Sequence, residues 1–183
     1  DYLLKNPEVL REAMTELDRR QKAEETAQRD RALTALGDKI FDSKHQAVIG
    51  NPKGSITLVE FFDYNCGYCK KALADVARLT KENPELRVVL KDFPVLGPGS
   101  IEAAQVATAV RSQLSGDKFW DFHQKLLLTR GQIGKDQAIA AAREAGADIG
   151  KLEKELKAPD VRAGIAEVMQ VADQLSLTGT PSW

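Results

Sequence analysis

Residues 55–62, SITLVEFF, form an unbroken run of β-branched and aromatic side chains, and no other stretch constrains the fold as tightly. A run of this length and composition reads as a central strand buried on both faces of a sheet. Directly behind it, DYNCGYC leads into KKALADVARLTKE, a helical pattern that stops near Asn83-Pro84. LRVVLKDFPV then reads as a second strand, ended by Pro94 and a GPGS turn. Strand, helix and strand in that order make a βαβ unit with parallel strands, which places the chain in the α/β class. A shorter strand, QAVIG, and an NPKG turn precede the unit.

The rest of the chain is helical in pattern. SIEAAQVATAVRSQL is expected to start at a Ser100 cap and stop near Gly116; DKFWDFHQKLLL follows, then KDQAIAAAREAG with Gly146 as its C-terminal glycine. IGKLEKELKA and PDVRAGIAEVMQVADQL complete a helical insertion over roughly residues 100–176, before the closing SLTGTPSW. At the other end, residues 1–41 have a different character and are expected to form a stalk apart from a domain over 42–183. Asn6 is a candidate N-cap with Pro7 at the first helical position. Leu3, Leu10 and Leu17 recur every seven residues, with Ala13 and Met14 beside them. RQKAEETAQRDR then has good helix propensity and almost no apolar face, and Leu33, Leu36, Ile40 and Phe41 resume a stripe. The apolar N-terminal end is expected to meet another copy of itself; the alternative is a frayed, solvated helix.

A net charge of -1 offers no electrostatic case for a nucleic-acid partner. No apolar run approaches the roughly 18 residues a membrane span needs, so no membrane insertion is expected. The sequence opens on DYLLKNPEVL, with neither an initiator Met nor the basic and apolar regions of a signal peptide, and is expected to be a processed or trimmed product.

The two cysteines of the chain, Cys66 and Cys69, are separated only by Gly67 and Tyr68. As a staple this pair would close too small a loop to restrict the unfolded chain much. A zinc site would need further ligands, and the two histidines, His45 and His123, stand far apart in the chain; a soft Cu(I) ion could still be held by two thiols. Redox work is the reading that remains. At a strand-to-helix junction Cys66 lies at the helix N-terminus, where unpaired N–H groups and the helix dipole favour a thiolate, with a pKa of about 3.5–7.5 rather than about 8.5. Cys69, one turn deeper, is expected to be buried and less acidic, so Cys66 exchanges with a partner's sulfur and Cys69 resolves the mixed disulfide. Glu60 shares a strand face with Ile56, Leu58 and Phe62 and is expected to be buried with a raised pKa, near enough for proton traffic with Cys69. No metal or other cofactor is expected.

VEFFDYNCGYC, FPVLGPGS after the second strand, KFWDFHQKLL in the insertion and TGTP beyond it occur in the order found in the DsbA-like branch of the thioredoxin superfamily, which the chain resembles from about Gln46 to Pro181. The resemblance implies a thioredoxin fold with an inserted helical subdomain. It also implies a cis Thr180-Pro181 peptide against the CxxC, with the Thr180 backbone pairing to substrate chain, and a buried superfamily acid at Glu60. Gly67-Tyr68, in place of the Pro-His of strong oxidants, and Thr180 before the proline resemble the dimeric DsbC-type isomerases. This implies a weaker oxidant and a protein disulfide isomerase or reductase, with a DsbA-like dithiol oxidase as the alternative and a non-catalytic Cu(I)- or client-binding protein as a second. With its N-terminal helix, the chain is similar to the C-type suppressor-of-copper-sensitivity proteins. That likeness implies self-association through 1–41, protein substrates with disulfides or thiols, a membrane redox partner, and a periplasmic or otherwise exported location. The family fold continues past the cis proline into an antiparallel hairpin and a helix. Two residues follow Pro181, so that part is expected to be absent, leaving a sheet with open edges. Outside the site, His123 is expected to be structural, His45 to be solvated, Lys70 and Lys71 to sit on a solvated helix face, and Lys91 and Asp92 to pair with each other.

Overall fold

The computed structural model describes residues Asp1 to Trp183 and divides them into two units, Asp1–Gly37 and Asp38–Trp183. In the first, a short helix α1 (Tyr2–Lys5) gives way at Asn6, whose backbone leaves the helical region, to α2 (Pro7–Phe41). Leu3 therefore lies in a separate helix from Leu10 and Leu17, and the seven-residue repeat does not run through one rod. Asn6 turns its side chain back to the Tyr2 carbonyl instead of capping α2. Leu10, Met14 and Leu17 are exposed, and the same helix surface carries exposed ion pairs between Glu16 and both Arg19 and Arg20. No helix is long and apolar enough to cross a membrane.

The second unit is built on three strands: β1 (Ala47–Gly50), β2 (Ile56–Phe62) and β3 (Leu86–Asp92), in the order β1-β3-β2. β2 and β3 are parallel, from Ile56 opposite Leu86 to Phe62 opposite Asp92, and α3 (Gly67–Glu82) makes the crossover. β1 joins the far side of β3 antiparallel. Of these three strands β3 lies between the other two, and its Val88, Val89 and Leu90 are fully buried. β2 lies at the edge: Ile56 is exposed, and only Glu60, Phe61 and Phe62 are buried. Its outer rim is met at Phe61 by Ser182, through two backbone hydrogen bonds of 2.8 and 3.0 Å.

α4 (Pro98–Val110), α5 (Gly116–Leu127), α6 (Lys135–Glu144), α7 (Ile149–Glu155) and α8 (Pro159–Gln174) follow β3. α4 starts after Gly97, so Ser100 sits inside its first turn, not at its cap; Pro98 supplies the pre-set φ and Gly97, at φ +113, the turn into it. One face of the sheet (Ala47, Ile49, Leu58, Phe62, Val88, Leu90) packs on Leu73 and Val76 of α3 and on Phe119, Phe122 and Leu126 of α5. Each of these large side chains contributes about 1.5–3 kcal/mol by leaving water. The other face meets α8.

Strand alternation overturns the expected Lys91–Asp92 pair, because neighbours along a strand point to opposite faces. Lys91 reaches the Lys39 carbonyl, and burial lowers its pKa to about 8. Asp92 forms a buried ion pair with Arg111, at the end of α4. His45 is buried rather than solvated: its ring packs on Gly164 of α8, and its carbonyl accepts a 2.6 Å hydrogen bond from Arg111.

Candidate active site

The apolar face of β2 ends at Phe62, and the chain must turn before α3 can pack back on the sheet. That turn delivers Cys66 to the N-cap of α3 in an extended conformation (φ -77, ψ 119). Cys66 Sγ accepts the Cys69 N–H at 3.4 Å, so the sulfur takes the place of the side-chain oxygen usual at this position. Across from it Thr180-Pro181 is cis, as the resemblance implied, and the Cys66 thiol donates to the Thr180 carbonyl at 3.2 Å. Both thiols are free.

The two sulfurs are driven apart electrostatically. Burial alone would raise the Cys66 pKa, but hydrogen bonds from the Thr180 side chain, from Cys69 and from the Tyr68 backbone outweigh it and hold the thiol below its ordinary value. Burial pushes Cys69 up to about 12, and the neighbouring Cys66 sulfur adds to the rise. One sulfur is prepared to carry charge and the other to keep its proton.

The structure brings Cys66, Cys69, Thr180 and Pro181 to one place, with Gly67 and Tyr68 on its rim. A side chain at Gly67 would meet nothing within 4 Å. Tyr68 is 71% exposed, with the Lys71 ammonium 5.5 Å from its ring centre, and Lys70 donates to the Thr129 carbonyl at 3.0 Å. These two lysines thus have defined partners that a bare charged pair in the sequence did not reveal. Glu60 is 4% exposed, and burial raises its pKa to about 7. No hydrogen bond joins it to either thiol.

Beside the site, Tyr64 and His123 are both buried and lie 3.2 Å apart, hydroxyl to Nδ1. His123 stacks on Trp120 and meets Phe62 edge-on. Burial, with the Arg111 charge adding to it, lowers its pKa to about 3, so the imidazole is neutral and structural. Sequence reasoning passed over Tyr64 and Asp63. The one available signal was polar residues inserted between an apolar strand and a CxxC.

A family model described as Thioredoxin matches residues 42–183, and one described as Copper resistance protein ScsC N-terminal domain matches residues 1–24. A thioredoxin-like oxidoreductase from Silicibacter pomeroyi is 41% identical, with 79% of this chain and 82% of that one covered at a TM-score of 0.73. The thiol-disulfide exchange protein alpha-DsbA2 from Wolbachia pipientis is 27% identical over 87% and 84% of the two chains, at 0.77. Proteus mirabilis ScsC in a compact conformation is 26% identical over 98% and 87%, at 0.72. Among curated relatives, the chain spans only 25% of a Na(+)/H(+) antiporter NhaA 1 from Salinispora arenicola, at 28% identity. The thioredoxin match over most of the sequence, together with these structural neighbours, settles the affiliation: the chain belongs to the thioredoxin family, in its DsbA-like thiol-disulfide oxidoreductase group.

Proposed function

We propose that the protein exchanges disulfides with other proteins, as an isomerase or reductase, through Cys66 and Cys69. The observation that carries the reading is the opposed tuning of the two thiols beside the Thr180-Pro181 peptide. The Cys66 thiolate attacks a client disulfide; a Cys66–client bond forms, the client S–S bond breaks, and the released client thiolate takes a proton. In isomerisation that client thiol, or another, attacks the client's own sulfur and returns Cys66 as thiolate. In reduction Cys69 loses its proton and attacks Cys66 Sγ, releasing client dithiol and leaving a Cys66–Cys69 disulfide. Glu60, raised to about 7, is the buried acid we assign to that proton, which has to pass through an intervening water. The client chain lies along Thr180, with Gly67 leaving the approach open and Tyr68 offering an exposed ring.

The exposed Leu10, Met14 and Leu17 support self-association through the N-terminal helix, which would present several sites to one misfolded client. Disulfide chemistry of this kind belongs outside the cytoplasm, in the periplasm or a similar exported setting, where a membrane redox partner would keep Cys66 and Cys69 reduced.

Recovery of activity from a scrambled-disulfide substrate tests the proposal, with the reduced protein, its Cys66→Ala variant and a version lacking residues 1–41 run in parallel. Recovery lost in both variants supports an isomerase that depends on its stalk. Rapid oxidation of a reduced substrate by the disulfide form, without recovery, makes the protein a dithiol oxidase. Inactivity in both assays with stoichiometric Cu(I) uptake favours metal binding by the two thiols, a reading the copper-resistance match over residues 1–24 keeps in view.

A further inference from the structure

A buried carboxylate lies under the catalytic turn, and no step of the exchange chemistry uses it. Asp63, the first residue after β2, is 2% exposed. Its Oδ1 accepts the Asn65 N–H at 2.8 Å and the Ser100 hydroxyl at 2.7 Å, and its Oδ2 accepts the Val95 and Leu96 N–H groups, both at 2.9 Å. Its carbonyl accepts the Cys66 N–H at 3.0 Å. The Asn65 side chain extends the cluster: Nδ2 donates to Ser100 Oγ at 3.0 Å and to the Ile133 carbonyl at 2.9 Å, and Oδ1 accepts the Ile133 N–H at 2.7 Å. Gly99 lets the Ile133 segment come this close, since a Cβ there would lie 2.6 Å from the Ile133 oxygen.

The turn of residues 63–66, the loop after β3, the first turn of α4 and the segment before α6 are thereby tied at one point. Four donors converge on the Asp63 carboxylate, two at each oxygen. Only an acceptor-only group satisfies all four; an amide would turn an NH2 toward two of them. Neither the Asp63 nor the Asn65 side chain bonds to a sulfur.

We propose that Asp63 and Asn65 are positioning residues for the thiol-disulfide exchange. Their hydrogen bonds hold the catalytic turn and the exposed Val95–Leu96 loop as one rigid rim, which keeps Cys66 Sγ against the Cys69 N–H and Thr180. This inference rests on the proposed exchange function. The contacts that hold the Cys66 thiol below its ordinary pKa are angular and short-ranged, so a turn that loosens loses them.

The test is the pH profile of Cys66 alkylation by iodoacetamide in the full-length reduced protein, compared with Asp63→Asn, Asn65→Ala and Ser100→Ala. Near-UV circular dichroism monitors the fold. Cys69 stays protonated throughout the range used. The expected result is an upward shift of the alkylation midpoint in Asp63→Asn and Asn65→Ala, with the rate at pH 6 reduced threefold or more, and a smaller shift of the same sign in Ser100→Ala. A carboxylate acting only as a nearby negative charge gives the opposite sign, since its removal would ease ionisation of Cys66. A faster or unchanged rate in a folded Asp63→Asn or Asn65→Ala variant overturns the proposal. If Asp63→Asn does not fold, Asn65→Ala decides; if neither folds, the sign of the Ser100→Ala shift does. Alkylation needs no client disulfide, so a protein without turnover on disulfides would still give a clear answer about Asp63 and Asn65.

Discussion

Glu60→Gln should stabilise the protein in a strongly pH-dependent way. The carboxyl sits in the apolar layer between β2 and the helices, and burial raises its pKa from the usual 4.5 to about 7. Below about pH 4.5 it is protonated in both folded and unfolded chains and costs nothing. As pH climbs from there through 7, the unfolded chain ionises freely while the folded one resists, so folding stability falls and then levels off. At about 1.4 kcal/mol for each tenfold change in the proton equilibrium, the rise from 4.5 to about 7 amounts to about 3 kcal/mol. The neutral amide removes that penalty. Urea unfolding of the reduced wild-type and Glu60→Gln proteins at pH 4.5 and pH 8.5 isolates the effect, because other groups titrate alike in both. The expected gain for the variant is about 3 kcal/mol larger at pH 8.5, or roughly 6–12 °C in thermal midpoint for a chain of this size. A difference between the two proteins that is the same at both pH values would refute the reasoning, since it would show that Glu60 is not held neutral by its surroundings.

Three further outcomes are expected. Arg111→Met should lose about 3–5 kcal/mol in urea unfolding near neutral pH, because it strands Asp92, 3% exposed, without its partner. Phe62→Ala should cost about 3–5 kcal/mol by the same assay, since its ring packs edge-on against both Tyr64 and His123 and leaves a cavity that a close-packed aromatic cluster cannot close. On the proposed self-association through residues 1–41, replacing the exposed Leu10 and Met14 together with Lys should bring the mass seen by light scattering to that of one chain, with the circular dichroism of residues 42–183 unchanged; a mass that does not differ from wild type would count against that reading.

Whether a feature was legible in the sequence depended on whether its cause was local. The strand-to-helix handover at Cys66, the crossover helix and Gly146 at φ +90 each follow from a few adjacent residues, and each was readable. The burial of Glu60 followed from alternation along one strand. What was misread depended on partners distant in the chain. Lys91 and Asp92 look like a pair until the sheet separates their faces. His45 looks exposed until Gly164, over a hundred residues on, provides a surface with no side chain to pack on. Ser100 was read as a cap because serine favours that position. Its hydroxyl goes instead to Asp63, a partner 37 residues away that no local pattern announces.

The division of labour between the two thiols is the centre of the account, and trapping the mixed disulfide tests it most directly. A Cys69→Ala protein mixed with a disulfide-bearing client should accumulate a covalent complex through Cys66, visible on a non-reducing gel and released by dithiothreitol, whereas Cys66→Ala should trap none. A complex that forms through Cys69 in the Cys66→Ala protein, or equally in both variants, would contradict the assignment of Cys66 as the attacking sulfur.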